Sequence, residues 1–517
     1  MTEPKFVDVV VVGLGVGGEE VAGRLAEAGL DVVGIDGELV GGECPYWGCI
    51  PSKMMIRAAN ALAEARRVDG LAGTVQVQPD WAPVARRIRE EATANWDDTA
   101  AVRRFTGKGG HFVRGYGRLV GPGRVQVGDQ VFQARHGVVI GTGSTPVVPP
   151  IAGLADTPYW TNRQIIEVEE LPESLLILGG GAIGLELAQV FARFGVRVTV
   201  VEAMDRVLAV EEPEASEVAA AALRADGVGI HTGVRAERVD HDGSRFTVHT
   251  ADGGSFTGER LLVSTGRRAR LGDLGLETAG IDPGQRFLAV DDRMRVRVGG
   301  NGATAGGPAA TVGGNGATVD GVWGVGDVTG EGAFTHIAMY QASIVVCDLL
   351  DQLRQAAGGV DASGAARAGG GAMGAAGTGD GPVGATTVGT GARGVLRADY
   401  RALPRVTFTD PEVGAVGLTE RQARDRGVNV QVGTAQLAGS TRGWIHKFGN
   451  EGFIKLVADA DRGVLAGATS VGPMGGEVLS ALAVAVHAAV PVSQLRHMIY
   501  AYPTFHRAIE TALRELK

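Results

Sequence analysis

Cys44 and Cys49 are separated by Pro45, Tyr46, Trp47 and Gly48, inside the run Gly41-Gly42-Glu43-Cys44-Pro45-Tyr46-Trp47-Gly48-Cys49-Ile50-Pro51-Ser52-Lys53. Two thiols this close can work as a dithiol–disulfide couple, provided one of them is held as the nucleophilic thiolate. Ser52 has the residue type of a helix N-cap, and Met54, Ile56 and Ala59 continue in helical fashion. The pattern therefore predicts a helix starting at Ser52, with Cys49 just ahead of its N-terminus. The partial positive charge there favours a thiolate. A buried structural pair and half of a metal site are the other readings of these cysteines. A metal site would need a second Cys or His pair at ligand spacing, and none follows. The third cysteine, Cys347, lies in an apolar helical stretch and reads as core.

A second constellation occurs twice. The apolar run Phe6 to Val12 leads into Gly13-Leu14-Gly15-Val16-Gly17-Gly18, then a helical stretch, then a second apolar run ending at Asp36. Downstream, Leu175 to Leu178 leads into Gly179-Gly180-Gly181-Ala182-Ile183-Gly184, a helical stretch to Gly195, and Val196 to Val201 ending at Glu202. The spacing from Gly13 to Asp36 equals that from Gly179 to Glu202. Each copy is a βαβ dinucleotide fingerprint. The glycines let backbone N–H groups approach a pyrophosphate at the helix N-terminus, and the acid accepts ribose hydroxyls. Gly13, Gly15, Gly18 and Asp36 would hold one dinucleotide and Gly179, Gly181, Gly184 and Glu202 another. An FAD and a nicotinamide make the usual redox pairing. The charge of Glu202 repels a 2′-phosphate, which favours NADH over NADPH, with Arg206 nearby as the opposing residue.

The elements that position these groups need a long chain, and 517 residues suffice for about three to four domains. Three cysteines exclude a disulfide-stapled secreted scaffold and point to a reducing compartment, hence a cytoplasmic location. Lys plus Arg number 49 against 58 Asp plus Glu, a net charge of −9, so no broad basic footprint for nucleic acid or anionic lipid is expected. The N-terminus lacks the basic region and cleavage site of a signal peptide, and no apolar run approaches the roughly 18 residues of a membrane span. Glycine is overrepresented at 82 residues. Much of the excess lies in two Ala-, Gly- and Thr-rich tracts, 299–316 and 358–394, which hold almost no large apolar residue and read as flexible surface insertions.

With these motifs in order, the chain resembles the class I pyridine nucleotide-disulfide oxidoreductases, the family of dihydrolipoamide dehydrogenase, glutathione reductase and mercuric reductase. The cysteine segment is the most specific marker. Gly115-Tyr116-Gly117 before a hairpin-like stretch, Gly141-Thr142-Gly143 after a strand, Thr265-Gly266-Arg267 closing the second nucleotide unit, Gly324-Val325-Gly326-Asp327 and Pro404 to Glu420 also match. The resemblance implies an α/β fold with two Rossmann-like nucleotide-binding domains, for FAD and NAD, plus a C-terminal α+β dimerisation domain. The FAD domain would span 1–150 and 286–350, the NAD(P) domain 151–285, a Gly/Ala-rich insertion 355–395, and the dimerisation domain 396–517. It further implies a homodimer in which Cys49 packs against the flavin and Cys44 faces a small-molecule acceptor. Lys53 would pair with Glu186 near the flavin's reactive edge, and Gly115, Thr142, Gly143, Asp327, Gly266 and Arg267 would join the cofactor sites. Electrons would pass from NAD(P)H through flavin to a Cys44–Cys49 disulfide and on to an acceptor, expected to be a disulfide.

The pattern breaks at Tyr502-Pro503-Thr504-Phe505-His506-Arg507. Disulfide-reducing relatives carry a His–Glu dyad here, which serves the partner's interchange thiol. Tyr502 stands in place of the His and Arg507 in place of the Glu, with His506 as a candidate substitute base. Tyr46 and Trp47 also replace smaller residues between the cysteines, which predicts a bulkier, more aromatic substrate face. The alternatives are a non-disulfide acceptor (a quinone, a metal ion, or chemistry like that of the 2-oxopropyl coenzyme M carboxylase branch) and a non-enzymatic redox-sensing flavoprotein.

Overall fold

The strand Lys5–Val12 lies between two parallel partners, Val32–Asp36 and Gln130–Ile140. Central placement accounts for its Val-rich run without polar alternation, because both faces are covered and Val9, Val10 and Val11 are fully buried. In the computed structural model, which describes residues 3–298, 318–357 and 396–517, this strand sits within an eight-stranded sheet. His111–Arg114 extends the sheet at one edge, and a meander of Arg118–Gly121 and Arg124–Val127 packs onto Gln130–Ile140. The chain leaves this sheet after Ile140 and returns to it at Arg295–Arg297 and Thr318–Gly324, the latter parallel to Gln130–Ile140. The glycine-rich tracts 299–316 and 358–394 lie outside the described residues, as does most of the expected 355–395 insertion.

Between those two visits the chain builds a second parallel sheet of four strands: Gly229–His231, Arg197–Val201, Ser174–Leu178 and Arg260–Val263. Ser174–Leu178 is buried at every position, which explains why it is apolar after Ser174. An antiparallel meander, Ala236–His241, Phe246–Thr250 and Ser255–Gly258, covers it. A five-stranded antiparallel sheet follows, with Pro404–Thr407, Glu412–Gly417, Val464–Gly472, Phe453–Asp459 and Val430–Gln436 in that order. Helices Gly475–His487 and Ala508–Arg514 bury Leu479, Leu482, Ile509 and Leu513 against it.

The largest core cluster among the described residues joins the second sheet to the C-terminal sheet. It joins Met55 and Ile56 of helix Cys49–Arg66 to Leu185 and Phe191 of helix Ala182–Arg193, and to Val413, Phe453 and Val471 of the C-terminal sheet. The same junction is fixed electrostatically. The guanidinium of Arg193, only 2% exposed, bonds Asn60 at 2.6 Å, Asp226 at 2.9 Å and Asp410 at 2.8 Å. Cys347 departs from its expected core placement: on helix Thr335–Ala357 it is half-buried.

Candidate active site

Each glycine turn is forced by backbone proximity. Gly13 has φ +91°, and a Cβ there would meet the Gly141 carbonyl oxygen at 2.5 Å; Gly179 has φ +106°, and its Cβ would meet the Ser264 carbonyl at 2.6 Å. A Cβ on Gly18 or Gly184 would collide with the carbonyl of the first glycine, at 1.9 and 2.3 Å, so these two let helix and strand pack closely. Gly15 and Gly181 are different. A Cβ at either meets nothing within 4 Å, and each is the N-cap residue of a twelve-residue helix, Val16–Glu27 and Ala182–Arg193. Open space in front of a helix N-terminus is where a pyrophosphate fits.

The two acids are held in the same way. Asp36 accepts N–H bonds from Leu14 and Glu38, both at 2.7 Å, and Glu202 accepts from Gly180 and from Met204, the latter at 2.7 Å. Each carboxylate thus braces its glycine turn while ending its strand. Burial raises the Asp36 carboxyl above its usual range, against those two bonds. Arg206 donates to the carbonyls of Leu208, Ala209 and Glu211, which commits its guanidinium to its own loop.

One cavity of about 1270 Å³ joins the first glycine turn and Asp36 to the cysteine pair and to Ala182 and Ile183; Gly181 and Glu202 do not line it. It runs from Asp36, Gly115 and Tyr116 past Thr142, Gly143 and Asp327 to Cys44, Cys49, Lys53 and Glu186. That exceeds the roughly 300–1,000 Å³ of ordinary small-molecule pockets. Asp327 receives the Ser144 hydroxyl at 2.5 Å, and burial raises its carboxyl. Arg267, expected at a cofactor site, lines this cavity. Its guanidinium turns to Ser144 Oγ at 2.7 Å and Glu43 at 2.8 Å, beside Asp327. Thr142 gives its hydroxyl to the Arg270 carbonyl, while Gly143 (φ +70°) and Gly266 (φ +114°) have open space where a Cβ would lie.

At the far end, the helix begins at Cys49 itself, with Gly48 as its N-cap. The expected Ser52 cap is not formed: Ser52 lies in the first turn, its N–H on the Gly48 carbonyl and its hydroxyl on the Cys49 carbonyl. Cys44 sits on the short helix Glu43–Trp47, and its thiol reaches that of Cys49. Both are free thiols. The hydrogen bond from Cys44 lowers Cys49 to about 6, helped by Thr335 Oγ1 at 3.3 Å and the Lys53 charge, against the effect of burial. The same bond, with burial, pushes Cys44 up. Lys53 Nζ lies 2.8 Å from Glu186 Oε2 and 4.6 Å from the centre of the Phe408 ring.

Of the two aromatics between the cysteines, Trp47 lines the cavity, whereas Tyr46 is buried and absent from its wall. Tyr46 is buried with its hydroxyl on the Val40 carbonyl, and Trp47 donates to Glu167 at 2.7 Å. Tyr502, His506 and Arg507 lie outside the cavity wall of their own chain. Tyr502 is 66% exposed and His506 packs beside the Tyr500 ring. Arg507 pairs with Glu510 in the turn before helix Ala508–Arg514. Thr335, His336, Phe408, Glu43 and Arg163 also line the cavity, and the sequence motifs had not singled them out.

A family model described as pyridine nucleotide-disulphide oxidoreductase matches residues 7–342, and the dimerisation domain of the same family matches 403–513. The chain belongs to the class I pyridine nucleotide-disulfide oxidoreductases, flavoenzymes that use FAD and NAD(P)H. A dihydrolipoyl dehydrogenase from Thermus scotoductus is 30% identical, covering 99% of this chain and 98% of the relative. A mercuric reductase from Streptomyces lividans is also 30% identical, over 98% and 95%. Among solved structures, the Cu(II) complex of the HOCl-induced flavoprotein disulfide reductase RclA from Escherichia coli aligns with TM-score 0.76 at 26% identity, covering 99% of both chains. The open cradles at Gly15 and Gly181 and the two braced acids fit the pyrophosphate and ribose groups of two dinucleotides, and the cavity adjoins the first of these sites. Among the described residues, no helix is long and apolar enough to cross a membrane.

Proposed function

We propose that this enzyme carries electrons from NADH through FAD to a Cys44–Cys49 disulfide and from there to a small-molecule disulfide. The thiol pair supports this reading most directly. It lies at the end of the nucleotide cavity as one acidic and one proton-holding thiol within hydrogen-bonding reach. Bound FAD supplies two-electron transfer between the reduced nicotinamide and the disulfide. Asp36, Asp327 and the turn at Gly13–Gly18 hold it, and Glu202 with the turn at Gly179–Gly184 holds the nicotinamide dinucleotide. Lys53 and Glu186 stand where the two sites meet.

The reduced pair then acts by exchange. Cys44, as thiolate, attacks an acceptor R–S–S–R and expels one RS⁻, leaving Cys44–S–S–R. The Cys49 thiolate attacks the Cys44 sulfur, expels the second RS⁻ and restores the protein disulfide. Each RS⁻ takes one proton, so two electrons and two protons leave as two RSH. Cys44 holds the proton of the pair at the start, and its attack therefore needs a base. Tyr502 comes from a second copy of the chain in this reading, because it is exposed beside Ile499 (95% exposed) and outside its own cavity. A phenol at this position favours a second reading, in which the acceptor is not a disulfide.

The test is an anaerobic NADH titration of the FAD-loaded protein, with thiols trapped by alkylation before and after. Expected are no alkylation at Cys44 and Cys49 in the oxidised protein and alkylation at both after NADH. Alkylation that ignores NADH would overturn the relay. A panel of lipoamide, glutathione disulfide, quinones and metal ions then separates the two readings.

A further inference from the structure

The helix that carries Cys44 has five residues and lies between two glycines, Gly42 (φ +70°) and Gly48 (φ −132°, ψ −116°). So short a helix does not hold itself in place. Its position depends on what grips it. Asn162 and Arg163, on the helix Asn162–Ile166 just before the second sheet, grip both of its ends. The buried amide of Asn162 donates to Glu43 at 3.0 Å and to the Trp47 carbonyl at 2.9 Å, which spans the whole helix. Arg163 donates to Glu43 at 3.0 Å and lies 4.4 Å over the Trp47 ring. Glu167 accepts the Trp47 indole N–H at 2.7 Å. Arg163 also pairs with Glu38, two residues past Asp36, so the loop that ends the first nucleotide unit shares the same anchor.

We infer that Asn162, Arg163 and Glu167 form a clasp that positions Cys44 against Cys49 and so sets the dithiol–disulfide equilibrium of the pair. The inference rests on the reading of Cys44 and Cys49 as a redox couple. A disulfide forms within a protein in proportion to the effective concentration of one thiol at the other. Two thiols gripped within contact keep that concentration high. In exchange with glutathione, the two thiols give up two protons and two electrons, one S–S bond forms between Cys44 and Cys49, and the S–S bond of one glutathione disulfide breaks to give two glutathione thiols. Loosening the Cys44 helix lowers the equilibrium constant for that reaction. Asn162, Arg163 and Glu167 are positioning residues, since they act through the helix and touch neither sulfur.

The experiment equilibrates the full-length FAD-loaded protein anaerobically in glutathione buffers, traps free thiols and reads the fraction of Cys44–Cys49 disulfide by mass. N162A and R163A should each lower the equilibrium constant about tenfold, which is about 30 mV for a two-electron couple. R163K, which keeps the charge but loses the planar fork, should fall between R163A and the unaltered protein. Should N162A fail to fold, R163K and E167Q decide, because both keep side-chain volume; a lowered constant in them upholds the clasp. A constant within twofold of the unaltered protein in all the folded variants overturns it and leaves the relay standing. Absence of any Cys44–Cys49 disulfide in the unaltered protein overturns the relay, and the clasp with it.

Discussion

Lys53 Nζ meets Glu186 Oε2 at 2.8 Å, while the other oxygen of Glu186 accepts the Phe408 N–H at 2.8 Å. One carboxylate, 5% exposed, thus ties the cysteine helix, the first helix of the second sheet and the C-terminal sheet together. Lys53→Met removes one of its two partners. It should cost about 1–3 kcal/mol, the range for a buried acceptor left short of a bond. It should also raise the Cys49 titration midpoint, because the Lys53 charge helps hold that thiol down. Thermal unfolding and the pH dependence of iodoacetamide alkylation read the two effects separately. An unmoved midpoint would place the Lys53 charge beyond the reach of Cys49.

The two thiols predict a pH profile with two arms in the reduced protein. Cys49 is depressed from 9.0 to about 6 by its bond from Cys44, so its contribution to stability is complete above about pH 9 and disappears as pH falls through 6. Cys44 is raised, so its contribution is complete below its unfolded value and is lost as pH climbs above that value. Stability should therefore rise from pH 6 toward 8 or 9, by at most about 1.4 kcal/mol per pH unit from Cys49, and then fall. Urea unfolding at pH 6, 7 and 8 under reducing conditions measures the first arm. Cys49→Ser should flatten it.

Glu202 and Arg206 predict the nicotinamide. The carboxylate is fixed by the Gly180 and Met204 N–H groups beside the open Gly181 cradle, and the guanidinium is spent on three carbonyls of its own loop. A 2′-phosphate would meet the acid and find the Arg206 guanidinium already engaged. NADH should exceed NADPH in kcat/KM by about 1–3 kcal/mol, the range of one charged hydrogen bond. A higher value for NADPH would mean that Arg206 leaves its carbonyls when the dinucleotide binds.

The parts of the site set by local backbone demands were legible in the sequence. Gly13 and Gly179 are the turns a following helix requires, and Asp36 and Glu202 end strands whose partners are fixed by the same turns. The cysteine pair was equally plain. Ser52 misled because its residue type suits an N-cap, while Gly48 caps the helix four residues earlier. That Tyr46 turns inward to the Val40 carbonyl while Trp47 stays at the cavity wall has no local signal. Thr335, Asn162 and Phe408 reach Cys49, the Cys44 helix and Glu186 from distant segments, so they carry no spacing signal. Arg267 sits next to the second nucleotide unit in sequence, yet its strand pairs with Ser144–Pro146, and that turns it toward Glu43.

Tyr502 carries the prediction that bears most on the acceptor. In the reduced pair Cys44 is the protonated thiol, and its attack on a disulfide requires that proton to leave. A histidine with a pKa near 6.5 can take it at neutral pH, whereas a phenol near 10 is already protonated and can only donate. Within its own chain Tyr502 touches Thr441 and lies under the Arg507 guanidinium, 5.5 Å from the ring centre, and the guanidinium itself is paired with Glu510. Neither neighbour supplies a base. The Cys49 thiolate, already hydrogen-bonded to Cys44, can take the proton, but a proton passed to it leaves the resolving thiol neutral. Turnover of lipoamide or glutathione disulfide should be about 10²–10⁴-fold slower than in dyad-bearing relatives, the usual loss for a missing acid–base group, and so should lag behind flavin reduction by NADH. Stopped-flow reduction set against steady-state turnover measures that gap. Tyr502→His should narrow it and give the turnover rate a pH midpoint near that of the imidazole. Equal rates in the unaltered protein would show that another base reaches Cys44, with His506 the first to test by substitution.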